Sequence, residues 1–154
     1  MCPPARKEQT PPQPTDQSTT VHATTVAVDD RAVLIRGASG AGKSALALQL
    51  MAHGAGLVAD DRTRLWRAGE AVVADAPKAI RGQIEARGVG ILSAPAFGPC
   101  AVSLVVDLDE DEADRLPPTR TTQVLGVALP LLRKCPGAHF PAALALYLKG
   151  GRLE

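Results

Sequence analysis

Asparagine is absent from this 154-residue chain. A base-reading Asn-Lys-x-Asp motif therefore cannot exist here, which excludes GTPase base recognition of that type. Aromatic residues make up only 3%, so the core must be built from Ala, Val, Leu and Ile. The three cysteines, Cys2, Cys100 and Cys135, are odd in number and far apart. That spacing provides no metal or redox pair and reads as reduced thiols. A net charge of +1 lacks the basic excess expected of a nucleic-acid or membrane surface. The longest apolar stretches, Ala45–Leu48 and Ala142–Leu148, are too short to span a bilayer. The N-terminus has no apolar signal-peptide core, so a cytoplasmic protein is expected. Arg outnumbers Lys 12 to 5, a codon bias of GC-rich genomes without chemical content.

What remains is an ordinary globular composition, 45% apolar and 21% charged, at a length that suits one domain. Residues 1–20 hold five prolines with Thr, Gln and Ser. They cannot offset their ordering entropy by burial and read as a disordered tail, with the domain over 21–154. Alternation predicts strands over Thr20–Val28 and Ala32–Arg36, turned at Asp29-Asp30. Apolar residues four apart predict a helix over Lys43–His53, stopped by Gly54 and Gly56. A short strand over Leu57–Ala59 ends in Asp60-Asp61. A hairpin is expected over Thr63–Trp66 and Ala71–Ala74, around Ala68-Gly69. Pro77–Arg87 reads as a helix, with Ile80 and Ile84 on its core face and Arg81 and Glu85 sharing another. Strands are expected over Val89–Leu92, Ala101–Leu108 and Val124–Leu129, with Val102, Leu104, Val106 and Leu108 on one side. Asp109–Pro118 reads as an acidic loop or short helix, and Pro141–Lys149 as a last helix.

The strongest signal is Gly37-Ala38-Ser39-Gly40-Ala41-Gly42-Lys43-Ser44, a full G-x-x-x-x-G-K-[ST] phosphate loop between an expected strand and an expected helix. Glycines let backbone N–H groups converge on phosphate. The helix N-terminus adds unpaired N–H groups and a positive dipole end. Lys43 supplies a point charge for β/γ-phosphates, and Ser44 a hydroxyl for Mg²⁺. The motif predicts nucleoside triphosphate binding and leaves the next step open. A phosphoryl transferase also needs carboxylates for the metal and for the acceptor hydroxyl. Asp60 and Asp61 stand at a strand end where such groups are held, one near the metal and one near the acceptor. Glu85, Arg87, His22 and Arg115, each taken alone, read as surface or packed residues.

Together these segments resemble the catalytic domain of HPr kinase/phosphorylase, a bacterial enzyme that modifies a serine of the phosphocarrier HPr. The likeness rests on the loop Gly37–Ser44, on Leu57-Val58-Ala59-Asp60-Asp61-Arg62 at the family's spacing, and on Ile84-Glu85-Ala86-Arg87-Gly88-Val89-Gly90-Ile91, similar to the family signature Glu-Ile-Arg-Gly-Leu-Gly-Ile. His22 precedes the loop where the family has a histidine. Ser103–Val106 through Asp114-Arg115-Leu116 resembles the segment carrying an active-site arginine. The resemblance covers about residues 21–130. It implies an α/β fold with a mixed sheet, related to phosphoenolpyruvate carboxykinase. It further implies ATP and Mg²⁺ as cofactors, Ser44, Glu85 and Asp60 around the metal, and Asp61 as the base toward the serine. His22, Lys43, Arg87 and Arg115 would surround the phosphoryl group. An HPr-type phosphocarrier would be the partner, and a homo-oligomer, the family's hexamer, the assembly.

Two departures alter the expectation. Only the Pro-rich tail stands where typical members carry a whole N-terminal domain. The Pro-x-Lys-x-Gly-Arg-type loop of the phosphorylase reaction corresponds to 130–139, and its arginine falls near Ala138. A kinase with weak or no phosphorylase activity is expected. The rival readings are a P-loop kinase of small molecules, and a nucleotide-sensing module that transfers nothing.

Overall fold

The computed structural model describes residues 18–153; the Pro-rich residues 1–17 and Cys2 among them lie outside the described part. The strands are β1 Thr19–Val21, β2 Ala23–Val28, β3 Arg31–Arg36, β4 Gly56–Ala59, β5 Thr63–Ala68, β6 Ala71–Asp75, β7 Gln83–Ala86, β8 Gly90–Ser93, β9 Cys100–Asp111, β10 Thr121–Val124 and β11 Val127–Lys134. The helices are α1, Lys43–Ala52, and α2, Phe140–Gly150. Strand structure begins at Thr19, so the last two residues assigned to the tail are ordered in β1.

The sheet is mixed, as expected. β2 lies antiparallel between β3 and β4, while β3 and β11 both run parallel to β9. The start of β9 pairs instead with β6, which leads to β5 and β1. Alternating side chains divide the core in two. Val26, Val28, Val33, Ile35, Leu104 and Val106 face α1 and α2, where Leu46, Leu50, Leu144 and Leu148 meet them. Ala27, Leu34, Val102 and Val105 face the other way, against Leu65, Val72 and Leu129. The aliphatic core expected from the scarcity of aromatics is present, with Trp66 and Phe140 as its buried aromatics.

Val102 does not share a side with Leu104, contrary to the expected alternation. A bulge sets Ala32 against Val102 and Val33 against Leu104. The inserted Ser103 reverses the facing at that point.

Pro77–Arg87 is not a helix. It holds one 3₁₀ turn, Lys78–Ile80, then β7, which pairs with β8 as a separate hairpin. Arg81 pairs with Asp75, not beside Glu85. Asp109–Pro118 is likewise split: β9 runs on to Asp111, and an irregular segment follows. Arg120 braces that segment by holding Glu112 3.1 Å away, which keeps the Glu112 carboxyl below the usual carboxylate range. Val124–Leu129 is a hairpin turn flanked by β10 and β11, with Leu125 and Gly126 both at positive φ.

β4 packs closely at Gly56, where an added Cβ would come within 2.2 Å of the Phe97 ring. Gly56→Ala is therefore expected to lower stability by about 1–3 kcal/mol, the range for overpacking a filled site. A urea midpoint equal to that of the parent would contradict this.

Candidate active site

The site forms where two segments cross between the two arms of the sheet on either side of β9. β1 pairs with β5 while β2 pairs with β3 and β4, and His22 is the residue between. Likewise β4 lies in the arm under α1, β5 in the arm beyond β9, and Asp60-Asp61-Arg62 connects them. The two corners are tied together. The Ala23 N–H donates to the Asp61 carbonyl over 3.1 Å, and the Asp61 N–H donates to Thr24 Oγ1 over 3.0 Å.

The corner at Asp61 is tight. The Arg62 N–H donates to the Asp60 carbonyl over 2.7 Å, and Asp61 between them has a φ of 68°. A non-glycine residue held there stores strain, which is common at functional sites. The turn directs Asp61 outward, leaving its side chain 58% exposed. There His22 Nε2 lies 2.6 Å from Asp61 Oδ1. An ionised carboxylate only accepts, so the ring nitrogen donates.

Asp60 points inward and is buried. Its Oδ1 accepts the Ser44 hydroxyl at 2.5 Å and the Thr24 hydroxyl at 3.2 Å, and its Oδ2 accepts the Glu85 N–H at 2.9 Å. One carboxylate thus joins β2, α1 and β7. Beneath it, Thr63 Oγ1 donates to the Ala23 carbonyl, so the Thr25 hydroxyl, 2.9 Å away, donates to Thr63.

The phosphate loop leads from β3 into α1. Gly42 caps α1 at a φ of 102°, a left-handed conformation that glycine adopts without strain, and no side chain caps the helix. The first-turn N–H groups are thereby left to an anion. Lys43 is buried, and its Nζ donates to the carbonyls of Gly37 and Ala38 over 2.8 and 3.2 Å. Asp109 Oδ1 accepts the Ala38 N–H at 2.9 Å, anchoring the loop to the end of β9.

A cleft of about 370 Å³ opens along these residues. Its wall includes Ser39, Gly40, Gly42, Lys43, Ser44, Asp60, Asp61, Glu85 and Arg87. Glu85 reaches it from β7 and Arg87 from the turn that follows, and both line the cleft. Of the expected site residues, Gly37, Ala38 and Ala41 shape the loop behind the cleft, and His22 joins it through Asp61. Arg115 is not brought there: it is exposed on the segment after β9 and does not line the cleft. Thr24 and Asp109, which hold the machinery in place, had no sequence signal beyond a buried strand residue and a strand end.

Mg²⁺ fits the oxygen set of Ser44, Asp60 and Glu85, because this ion uses one or two carboxylates together with phosphate oxygens and water. No group of three or more His, Cys, Asp or Glu that could hold a metal alone occurs among the described residues. No helix among them is long and apolar enough to cross a membrane.

Fold and site define a mixed-sheet P-loop domain with a carboxylate pair facing its phosphate loop. The chain belongs to the family of the HPr serine kinase C-terminal domain, whose family model matches residues 14–133. It is 40% identical over 126 residues to the HPr kinase/phosphorylase of Chlorobium phaeobacteroides, covering 73% of this chain and 39% of that protein. It is 42% identical over 105 residues to that of Enterococcus faecalis, covering 63% of this chain and 34% of the relative. The solved structure of the Hpr(Ser) kinase/phosphatase from Coxiella burnetii matches with a TM-score of 0.73 at 26% identity, covering 88% of this chain and 97% of that one. The chain thus spans well under half the length of the curated relatives it matches.

Proposed function

We propose that this domain transfers the γ-phosphoryl group of ATP to a serine hydroxyl of an HPr-type phosphocarrier. The observation that carries this reading is Asp61, held outward by a strained turn and by His22, in the same cleft as Lys43 and Ser44. A nucleotide-binding site alone needs no exposed, oriented carboxylate facing the phosphate loop.

In this reading the α1 N-terminus and Lys43 bind the β- and γ-phosphates. Asp61 accepts the serine proton as the serine oxygen bonds to phosphorus and the bond to ADP breaks. Arg87 and His22 balance charge spread over the phosphoryl oxygens. Mg²⁺, when bound, would supply positive charge to offset the negative charge that develops on the leaving ADP. Ser44 would hold it, its proton directed to Asp60, with Glu85 completing the protein oxygens. Arg115 receives no part, given its exposed position.

The test is transfer of label from γ-labelled ATP to HPr in the presence of Mg²⁺. Serine label that disappears with Lys43→Ala supports the reading. ATP turnover on metabolites without a protein acceptor would instead favour a small-molecule kinase, and binding without turnover a sensor. Because Ala138 stands where the phosphorylase loop has its arginine, inorganic phosphate is expected to release little label from the phosphorylated carrier. Rapid phosphate-dependent release would overturn that expectation.

A further inference from the structure

Thr24 lies in β2, a strand paired on both sides, and its side chain is buried. A buried hydroxyl is costly unless its hydrogen bonds are made. Valine would suit such a strand position without that cost. Both bonds of the Thr24 hydroxyl go to the candidate site. It accepts the Asp61 N–H at 3.0 Å and donates to Asp60 Oδ1 at 3.2 Å. We propose that Thr24 is a positioning residue for phosphoryl transfer, which aims Asp61 at the acceptor hydroxyl and keeps it in register with Asp60. This rests on the reading of Asp61 as the base.

Stiffness is the first argument. A group on a paired strand holds its place better than one on a loop. Asp61 stands on a corner, outside any strand, at a φ of 68°. Its two peptide groups are both tied to β2. The Asp61 carbonyl is held by the Ala23 N–H, a backbone bond open to any residue at 23 except proline. The Asp61 N–H is held by the Thr24 side chain, so that half of the grip depends on residue type.

Hydrogen-bond direction is the second. A hydroxyl carries one proton. Asp60 takes it as a carboxylate, and the Asp61 N–H then meets an oxygen lone pair. One atom therefore links the metal-side carboxylate to the acceptor-side one. Without it, Asp60 would still receive the Ser44 hydroxyl and the Glu85 N–H. The Asp61 N–H has no other partner among the described residues. Loss of the hydroxyl thus falls on the acceptor side and leaves Lys43 and the phosphate loop in place. Thr25 provides the contrast. It is as buried as Thr24, yet its hydroxyl goes to Thr63 and reaches neither carboxylate.

The experiment measures kcat and the KM for ATP in label transfer to HPr, together with hydrogen exchange at the Asp61 amide. Thr24→Val keeps the branched shape and removes the hydroxyl. It is expected to lower kcat about 10–100-fold, the effect of misplacing a reacting group. The KM for ATP should stay within about twofold, because the nucleotide side is untouched, and the Asp61 amide should exchange faster. Thr24→Ser keeps the hydroxyl and should hold kcat near that of the parent. Thr25→Val should move neither readout. Parental kcat in Thr24→Val, or an equal loss in Thr24→Ser or Thr25→Val, would overturn the assignment. Slower transfer with unchanged exchange at Asp61 would overturn it as well. A parent protein that transfers no label to HPr would remove the reading of Asp61 as the base, and this role with it.

Discussion

Asp61→Asn is expected to reduce phosphoryl transfer about 10²–10⁴-fold, the usual contribution of a positioned general base. ATP affinity should change little, because the phosphate loop is untouched. Asn keeps the shape of the side chain and tolerates positive φ, so the fall isolates the missing base. Asp61→Gly should separate activity from stability. Glycine relieves the strain at a φ of 68°, and the bond lost to His22 is an exposed one. That variant should be as inactive as Asn, yet more stable by about 0.5–1 kcal/mol in urea unfolding. Transfer at parental rates in either variant would remove Asp61 from the chemistry. A destabilised Asp61→Gly would show that the turn is not strained.

Asp60→Ala should act chiefly on the fold. It strands the Thr24 and Ser44 hydroxyls and the Glu85 N–H, all of which bond this buried carboxylate. Loss of partners for buried donors costs about 1–3 kcal/mol, and here three elements come apart, so about 2–3 kcal/mol is expected. Asp60→Asn should cost less. Its oxygen still accepts the hydroxyls, and only the bond from the Glu85 N–H is replaced by a donor facing a donor. A shift in the urea midpoint larger for Ala than for Asn would bear this out; midpoints matching the parent for both would refute it. Ser44 loses its orientation in the Ala variant and the carboxylate charge beside it is lost in both, so transfer should fall in both.

These two carboxylates show how much of the site was legible in the sequence. The phosphate loop announced itself by spacing, and Asp60-Asp61 by following the next strand. Their division of labour did not: one points in and one out because of a turn whose geometry no residue type signals. Gln83–Ala86 was misread because Ile80 and Ile84, four apart, fit a helix as well as a strand. Gly82, at a φ of 76°, was the overlooked sign, as was the alternation that buries Ile84 and Ala86 while exposing Gln83 and Glu85. As a helix, this segment would have set Glu85 and Arg87 on different sides. The β10–β11 turn was invisible because Leu125-Gly126 replaces the Asn-Gly or Asp-Gly that usually marks such hairpins, in a chain without asparagine. The bulge at Ser103 also left no trace in composition. The helices α1 and α2, set by periodicity, were readable. Corners, set by backbone angles, were not.

The position of His22 has a mechanical side. It follows directly on β1, an edge strand held to β5 by three residue pairs. Among the described residues, a load applied from the N-terminal side meets that short strand first. Peeling β1 away would carry off the imidazole that holds Asp61, while β2 stays clamped between β3 and β4. That end of the described chain is therefore a handle on the acceptor side of the cleft, while Asp109 gives the phosphate loop an anchor of its own.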